Sequence, residues 1–277
     1  MASEAPLLET ATLISREQVA PGFWFLALRG PRIASQARAA SYIAIDVPGA
    51  FCVRLPLGIW TVRGDEFGVL FREWGDRTRR LAHLAVGTAL SCIGPLGNQF
   101  SIPVKGSKAL IASGGIGIVP FWLLARDLQT AGVEVRAIVG ARTKAHLAGV
   151  AQLRELGLDV TTCTDDGSEG ERATAVDLVK RASPVDIIYG CGPPGMLRAL
   201  SEHAAGARVA CEISMEETFG CSMGTCWGCV VPVRRGSPQG SGYPPAPRDS
   251  RAYDFARVCT DGTVFPAADV LWLESSA

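Results

Sequence analysis

Three cysteines stand within nine residues, Cys221-Ser-Met-Gly-Thr-Cys226-Trp-Gly-Cys229, and a fourth, Cys259, follows a stretch rich in Pro, Gly and Ser. A C-x4-C-x2-C run with a later fourth thiol is the spacing by which four thiolates hold a two-iron, two-sulfide cluster. No other feature restricts the fold as much, because a loop wrapped round such a cluster must aim its thiolates inward while its amides face the sulfurs. Gly220, Gly224 and Gly228 suit that need, since a residue without a Cβ takes positive φ and lets the backbone approach closely. A structural zinc site is the competing reading, but it more often shows two C-x2-C pairs or mixed Cys and His ligands. The last histidine, His203, lies well before the loop.

At 277 residues the chain is long enough for two medium domains and a small appendage. Its 48% hydrophobic content and mean hydropathy of +0.20 exclude a disordered chain. Lys and Arg number 27, as do Asp and Glu, so net charge marks neither a nucleic-acid surface nor an anionic membrane as partner. Five of the nine cysteines (Cys52, Cys92, Cys163, Cys191 and Cys211) are scattered singly, unlike a secreted disulfide framework, and this predicts a reducing cytoplasm. The opening Met-Ala-Ser-Glu-Ala-Pro has no basic region followed by an apolar one, which predicts no secretory signal. The apolar run Ala109 to Ala125 is shorter than the roughly 20 residues of a membrane span and is broken by Gly114, Gly115, Gly117 and Pro120, so no span is expected.

From about Thr10 to Pro103, short β-rich runs alternate with turn residues: Phe23 to Leu28, Ser41 to Val47, Phe51 to Trp60, Phe67 to Phe71 and Ala89 to Ile93. That rhythm predicts an antiparallel sandwich or barrel with one helical interruption near Arg77 to Leu84. From Lys108 strands alternate with helices: strand Ala109 to Ala112, helix Val119 to Leu128, then further pairs up to strand Arg208 to Ile213. This is the pattern of a parallel α/β sheet, because each parallel crossover needs a covering element. The expected organisation is a barrel over 1–104, an α/β domain over 105–211 and a cysteine-loop region over 212–277. Within the last, Arg234 to Arg251 reads as a Gly- and Pro-rich surface excursion between the third and fourth thiols.

Two glycine turns close strands of the α/β half. Ser113-Gly114-Gly115-Ile116-Gly117-Ile118-Val119-Pro120 follows an apolar strand and opens a helix, the context in which a backbone approaches a pyrophosphate and a helix N-terminus meets its charge. Tyr189-Gly190-Cys191-Gly192-Pro193-Pro194 ends a later strand of the same sheet. Strand ends of that kind line the ligand crevice, which would set Cys191 beside a nicotinamide; a small buried residue before a helix is the plainer alternative. Arg54-Leu55-Pro56-Leu57-Gly58 offers one positive charge with adjacent backbone donors. His83, His146 and His203 are isolated, Asp165 and Asp166 suit a loop as well as acid–base work, and Glu212, Glu216 and Glu217 read as a solvated face.

In sequence order these elements, with Gly94-Pro-Leu-Gly-Asn98, Gly140-Ala-Arg-Thr143, Thr164-Asp-Asp-Gly-Ser168 and Arg257-Val-Cys-Thr-Asp-Gly262, resemble the electron-transfer subunits of class 1B dihydroorotate dehydrogenases. These are a branch of the ferredoxin-NADP reductase-like flavoproteins, and the resemblance covers about Arg54 to Val270. It implies a FAD-binding barrel, an NAD-binding α/β domain and a C-terminal 2Fe-2S loop ligated by Cys221, Cys226, Cys229 and Cys259. Arg54, Pro56, Leu57 and Gly58 would fall on the flavin motif, and Gly75, Arg77 and Thr78 near the FAD pyrophosphate. Gly114, Gly115, Gly117, Pro120, Gly192 and Pro193 would fall on the nicotinamide site, with Cys191 as the catalytic candidate. The partner implied is an FMN-containing subunit that oxidises dihydroorotate in pyrimidine biosynthesis, in a heterotetramer. Electrons would run from it through the cluster and FAD to NAD.

Three features depart from the family pattern. Gly58 stands where the flavin motif usually has Ser, Arg77 replaces the second glycine of the pyrophosphate stretch, and the loop before Cys259 is long. Related subunits of NADH-ferredoxin:NADP oxidoreductases, sulfide dehydrogenases and hydrogenases share these motifs and remain alternatives. So does a flavin-free scaffold with a zinc-bound cysteine loop.

Overall fold

The computed structural model describes residues 6–50, 53–240 and 253–273. Strands β1 (Leu7–Ala20), β2 (Phe23–Arg29), β3 (Tyr42–Ile45), β4 (Leu55–Arg63), β5 (Glu66–Arg72) and β6 (Ala89–Leu96) close an antiparallel barrel in the order β1-β2-β5-β4-β3-β6. Burial along β6 alternates residue by residue, as the two-residue period of a strand with one buried face requires. Two short helices interrupt the barrel: α1 (Pro31–Gln36) and α2 (Asp76–Ala82). The second lies where a helix is expected. The first is absent from the sequence reading, because six residues opened by a proline carry too little periodicity to register.

The α/β half is a seven-stranded sheet. Strands β7 (Lys108–Gly114), β8 (Glu134–Ala141), β9 (Asp159–Thr164), β10 (Glu171–Arg172), β11 (Ile187–Cys191) and β12 (Ala210–Ser214) are parallel, and β15 (Val264–Pro266) adds an antiparallel edge beside β12. The order is β10-β9-β8-β7-β11-β12-β15. Central β7 is buried along five consecutive residues, which is how a parallel strand covered on both faces reads. The helices α3 (Phe121–Thr130), α4 (Val150–Glu155), α5 (Ala175–Arg181) and α6 (Pro194–Ala207) make the crossovers. Helix α5 starts at Thr174, whose hydroxyl accepts from the Asp177 amide at 3.2 Å while the Asp177 carboxylate accepts from the Thr174 amide at 3.0 Å, a reciprocal cap.

Barrel and sheet share one apolar core. Trp60, Val69 and Leu70 of the barrel join Val119, Phe121 and Leu124 at and beyond the glycine turn, and α3 lies against both β4 and β8. Burying each such side chain contributes ~1.5–3 kcal/mol, so the two halves are held as one body and the clefts between them are fixed. A hairpin of β13 (Val230–Arg234) and β14 (Tyr253–Arg257) follows the cysteine run and presents Cys229 and Cys259 just outside its ends. Residues 241–252, most of the excursion expected before Cys259, lie outside the described residues, as do Phe51 and Cys52.

Candidate functional site

Two clefts meet where the barrel faces the sheet. The first, of about 480 Å³, is walled by Tyr42 on β3, by Pro56, Leu57 and Gly58 on β4, by Thr78 on α2 and by the run Ser214 to Glu217 with Phe219. Tyr42 and Gly58 are direct cross-strand partners, so they point to the same face. A Cβ on Gly58 would come within 2.6 Å of a Val119 methyl. The glycine is therefore what lets the α/β half close on the barrel here. Thr78 shapes the α2 end of the cleft: its hydroxyl oxygen accepts from the amides of Trp74 and Gly75 at 2.9 and 3.0 Å. Arg54 is not among the lining side chains. Its guanidinium donates to the carbonyl and hydroxyl of Ser91 at 2.7 and 3.0 Å. Arg77 likewise donates to the Val53 carbonyl at 3.1 Å.

The second cleft, of about 660 Å³, collects the two glycine turns. Gly114, Gly115 and Gly117 after β7 and Gly192 and Pro193 after β11 all line it, because Ser113 and Cys191 are register partners in adjacent strands. Gly115 has φ +57°, and a Cβ there would meet nothing within 4 Å. It leaves open backbone at the cleft. Gly117 is packed instead: a Cβ would stand 2.8 Å from the Gly192 amide nitrogen. Pro120 and Cys191 fall on the first cleft rather than the second. Burial pushes the Cys191 thiol far up, with nearby Glu216 adding to the shift and the hydrogen bond to Ser214 opposing it. It remains a neutral thiol and no nucleophile.

Arg72, Ile116 and Glu216 line both clefts, so the two are neighbours. Ile116 lies inside the glycine run read from the sequence, but sequence reasoning missed the roles of Arg72 and Glu216. Glu216 was expected on a solvated face; water does reach its side chain from the clefts, yet the surrounding protein raises its carboxyl above the ordinary glutamate value. Arg72 leans over the Phe23 and Trp74 rings, 5.9 and 5.2 Å from their centroids. Neither position stands out locally, because each acquires its role from elements distant in sequence.

The cysteine loop adjoins the first cleft through Phe219 and Tyr42. Left-handed backbone appears at Ser222, Gly224 and Trp227. Of the three glycines expected to turn the loop, only Gly224 takes positive φ, whereas Gly220 serves close approach, its missing Cβ being 3.0 Å from the Cys226 sulfur. Gly228 has ordinary clearance. The amides of Met223 and Cys226 point at the Cys221 sulfur from 3.4 Å, and that of Gly228 at the Cys226 sulfur from 3.5 Å. Burial lifts the Cys221 thiol, but hydrogen bonds from Thr225 and these amides outweigh it and bring the thiol down to about 6. The thiols stand as two pairs, Cys221 with Cys226 and Cys229 with Cys259. Among the described residues, no three His, Cys, Asp or Glu side chains are drawn together as a preformed metal centre. The donor set nevertheless suits a thiophilic metal cluster: four sulfurs, amides aimed at two of them, and a buried Ser222 hydroxyl with no hydrogen-bond partner.

The chain is 33% identical over 273 residues to the electron transfer subunit of dihydroorotate dehydrogenase B (NAD(+)) of Streptococcus mutans, covering 96% of this chain and 98% of that one. The Bacillus caldolyticus subunit of the same name is 31% identical over 270 residues, at 95% and 98% coverage. The chain belongs to this family of electron transfer subunits. It is thus an oxidoreductase subunit, and the name of the family places such chains beside a second, catalytic one. No family model matches the sequence. Among solved structures, the NADH-dependent reduced ferredoxin-NADP oxidoreductase superposes with a TM-score of 0.80 at 23% identity, over 95% of this chain and 90% of that one. Phthalate dioxygenase reductase superposes with a TM-score of 0.61 at 16% identity, over 91% and 94%. These likenesses establish the ferredoxin-reductase-like fold. No helix among the described residues is long and apolar enough to cross a membrane.

Proposed function

We propose that this subunit carries electrons from a cytoplasmic, FMN-containing partner that oxidises dihydroorotate, in pyrimidine biosynthesis, and delivers them to NAD. In this reading 1–104 is the flavin unit, 105–211 the nicotinamide unit and 212–277 the cluster unit, and two such chains join two partners in a heterotetramer. The observation that carries it is adjacency. The first cleft shares Arg72, Ile116 and Glu216 with the second and touches the cysteine loop through Tyr42 and Phe219.

FAD belongs in the first cleft, a 2Fe-2S cluster on Cys221, Cys226, Cys229 and Cys259, and NAD in the second cleft; together they supply single-electron transfer and its conversion to hydride transfer. The remaining work falls to the chain's own residues. The Pro56–Gly58 backbone and Thr78 would hold the flavin, while Arg54 on Ser91, Gly75 on the Thr78 hydroxyl and Arg77 on the Val53 carbonyl would brace the wall from outside the cleft. Gly115 opens backbone to the nicotinamide dinucleotide, and Gly114, Gly117, Gly192 and Pro193 keep the two turns close enough to cradle it, with Pro120 starting the helix behind. Cys191, neutral and buried, would supply a small apolar wall to the first cleft. Glu216 holds a proton more readily than an ordinary glutamate at the junction of the clefts.

The test is to co-express the full chain with an FMN-containing dihydroorotate-oxidising partner and follow NAD reduction on adding dihydroorotate. Reduction is expected only with both chains present. Equal NAD reduction by the partner alone, or none by the pair when both are loaded with cofactors, would overturn the reading.

A further inference from the structure

Tyr42 lies where the barrel, the first cleft and the cysteine loop meet. Its ring is 3% exposed, lines the first cleft and rests on Phe219 at 5.1 Å between centroids. Its hydroxyl reaches the carbonyl of Ser222 at 3.2 Å and that of Cys259 at 3.0 Å. A phenol has a single proton, so the two carbonyls share it. They come from opposite limbs of the cysteine loop, one beside Cys221 and the other on Cys259 itself. The other described side-chain hydrogen bonds from the barrel half to the C-terminal region fall outside the loop: Thr263 to the Ala40 carbonyl at 3.1 Å and Asn98 with Val264 at 2.7–2.8 Å lie beyond Cys259, and the Ser101 amide to the Glu212 carboxylate at 2.9 Å lies before Cys221. They hold the sheet edge, not the two limbs.

We propose that Tyr42 is a positioning residue that clamps both limbs of the cysteine loop to the flavin cleft and so sets how readily electrons pass between them. This rests on flavin in the first cleft and a cluster on the four thiols. The ring packs the loop through Phe219, and the hydroxyl fixes its register. Without that shared hydrogen bond only the Phe219 packing remains, among the described residues, to hold the loop to Tyr42 on the cleft wall, and the two limbs sample positions farther from it.

The variant Tyr42→Phe keeps the ring and removes only the hydroxyl. Wild type, Y42F and a control, N98A, are purified anaerobically as full chains, assayed for flavin and iron, and mixed rapidly with NADH. NADH gives a hydride to the flavin and leaves as NAD. Electrons then pass singly to the cluster, where ferric iron becomes ferrous and an electron paramagnetic resonance signal grows. Y42F is expected to bleach its flavin at a rate within about twofold of wild type and to develop the cluster signal about tenfold more slowly, the effect expected when a docking equilibrium loses a buried hydrogen bond. N98A should lower thermal stability and leave both rates within about twofold, since its side chain bonds Val264 and neither the Ser222 nor the Cys259 carbonyl.

Loss of iron from Y42F with flavin retained also supports the clamp, because the limbs then part before the cluster is held. A cluster signal growing at the wild-type rate overturns it. So does an equal slowing in N98A, or the loss of flavin and iron together from Y42F. Wild-type protein lacking flavin or iron overturns the underlying functional reading instead.

Discussion

Arg257 and Asp261 form a fork across the turn that carries Cys259. The guanidinium meets both carboxylate oxygens at 2.9 and 3.0 Å, and the Arg257 amide adds a third bond of 2.8 Å. From that braced position Arg257 donates to the Gly224 carbonyl at 3.1 Å and lies over the Trp227 ring at 5.1 Å. The segment bearing the fourth thiol is thereby tied to the segment bearing the first three. Both partners are partly shielded, so the bonds are worth more than those of an open surface pair. Replacing Arg257 with Lys keeps the charge but loses the fork. The expected result is a stability loss of ~1–3 kcal/mol and reduced iron retention with normal flavin content, read by thermal unfolding and metal analysis.

Gly58 and Val119 are a matched pair. A Cβ at 58 would sit 2.6 Å from the valine methyl, closer than carbon atoms approach without displacement. Gly58→Ser should therefore spread the barrel from the glycine turn, costing ~1–3 kcal/mol and lowering flavin content. The double variant with Val119→Ala should recover most of both. Equal flavin content and melting temperature in the single variant would remove the pairing from the account.

Gly117 packs one glycine turn on the other, with its absent Cβ 2.8 Å from the Gly192 amide nitrogen. Gly117→Ala is expected to push β7 and β11 ends apart, destabilise by ~1–3 kcal/mol and slow flavin reduction by NADH. Gly115→Ala meets no atom within 4 Å but must hold φ +57°, so its cost is backbone strain of about 1–2 kcal/mol.

Glu216 gives a pH signature. Although water reaches its side chain, the protein packed around Glu216 desolvates its carboxyl and raises it above the ordinary value of 4.5, so the folded state favours the protonated form. That contribution to stability is present at acid pH and is lost as pH rises through the folded-state value. Glu216→Gln should melt higher than wild type at neutral pH, and the difference should shrink as the buffer approaches the ordinary glutamate range. A difference that is constant with pH would show that the carboxyl is not perturbed.

The parts of the fold that sequence exposes are those with local periodicity. The apolar β7, the glycine turn after it and the strand–helix alternation up to β12 stand where expected, because each is written in consecutive residues. Helix α3 begins at Phe121, two residues after the expected Val119, and a tight 3-10 turn over Gly115–Ile118 precedes it. The hairpin β13–β14 went unseen because Pro232 breaks the first strand's pattern and the insertion separates it from the second. Both cleft motifs were legible as turns, but not which cleft each would serve: Pro120 and Cys191 moved to the flavin side once β11 paired with β7. Tyr42 was invisible for a different reason. Its partner Cys259 is 217 residues away, and no local pattern reports such a contact.

The most direct test of the central claim is the flavin and iron content of the full chain purified without oxygen, followed by its spectrum on adding NADH. The account predicts one flavin and about two irons per chain, with the flavin bleached first and a paramagnetic cluster signal after it. Protein that carries zinc in place of iron, or no flavin, would contradict it.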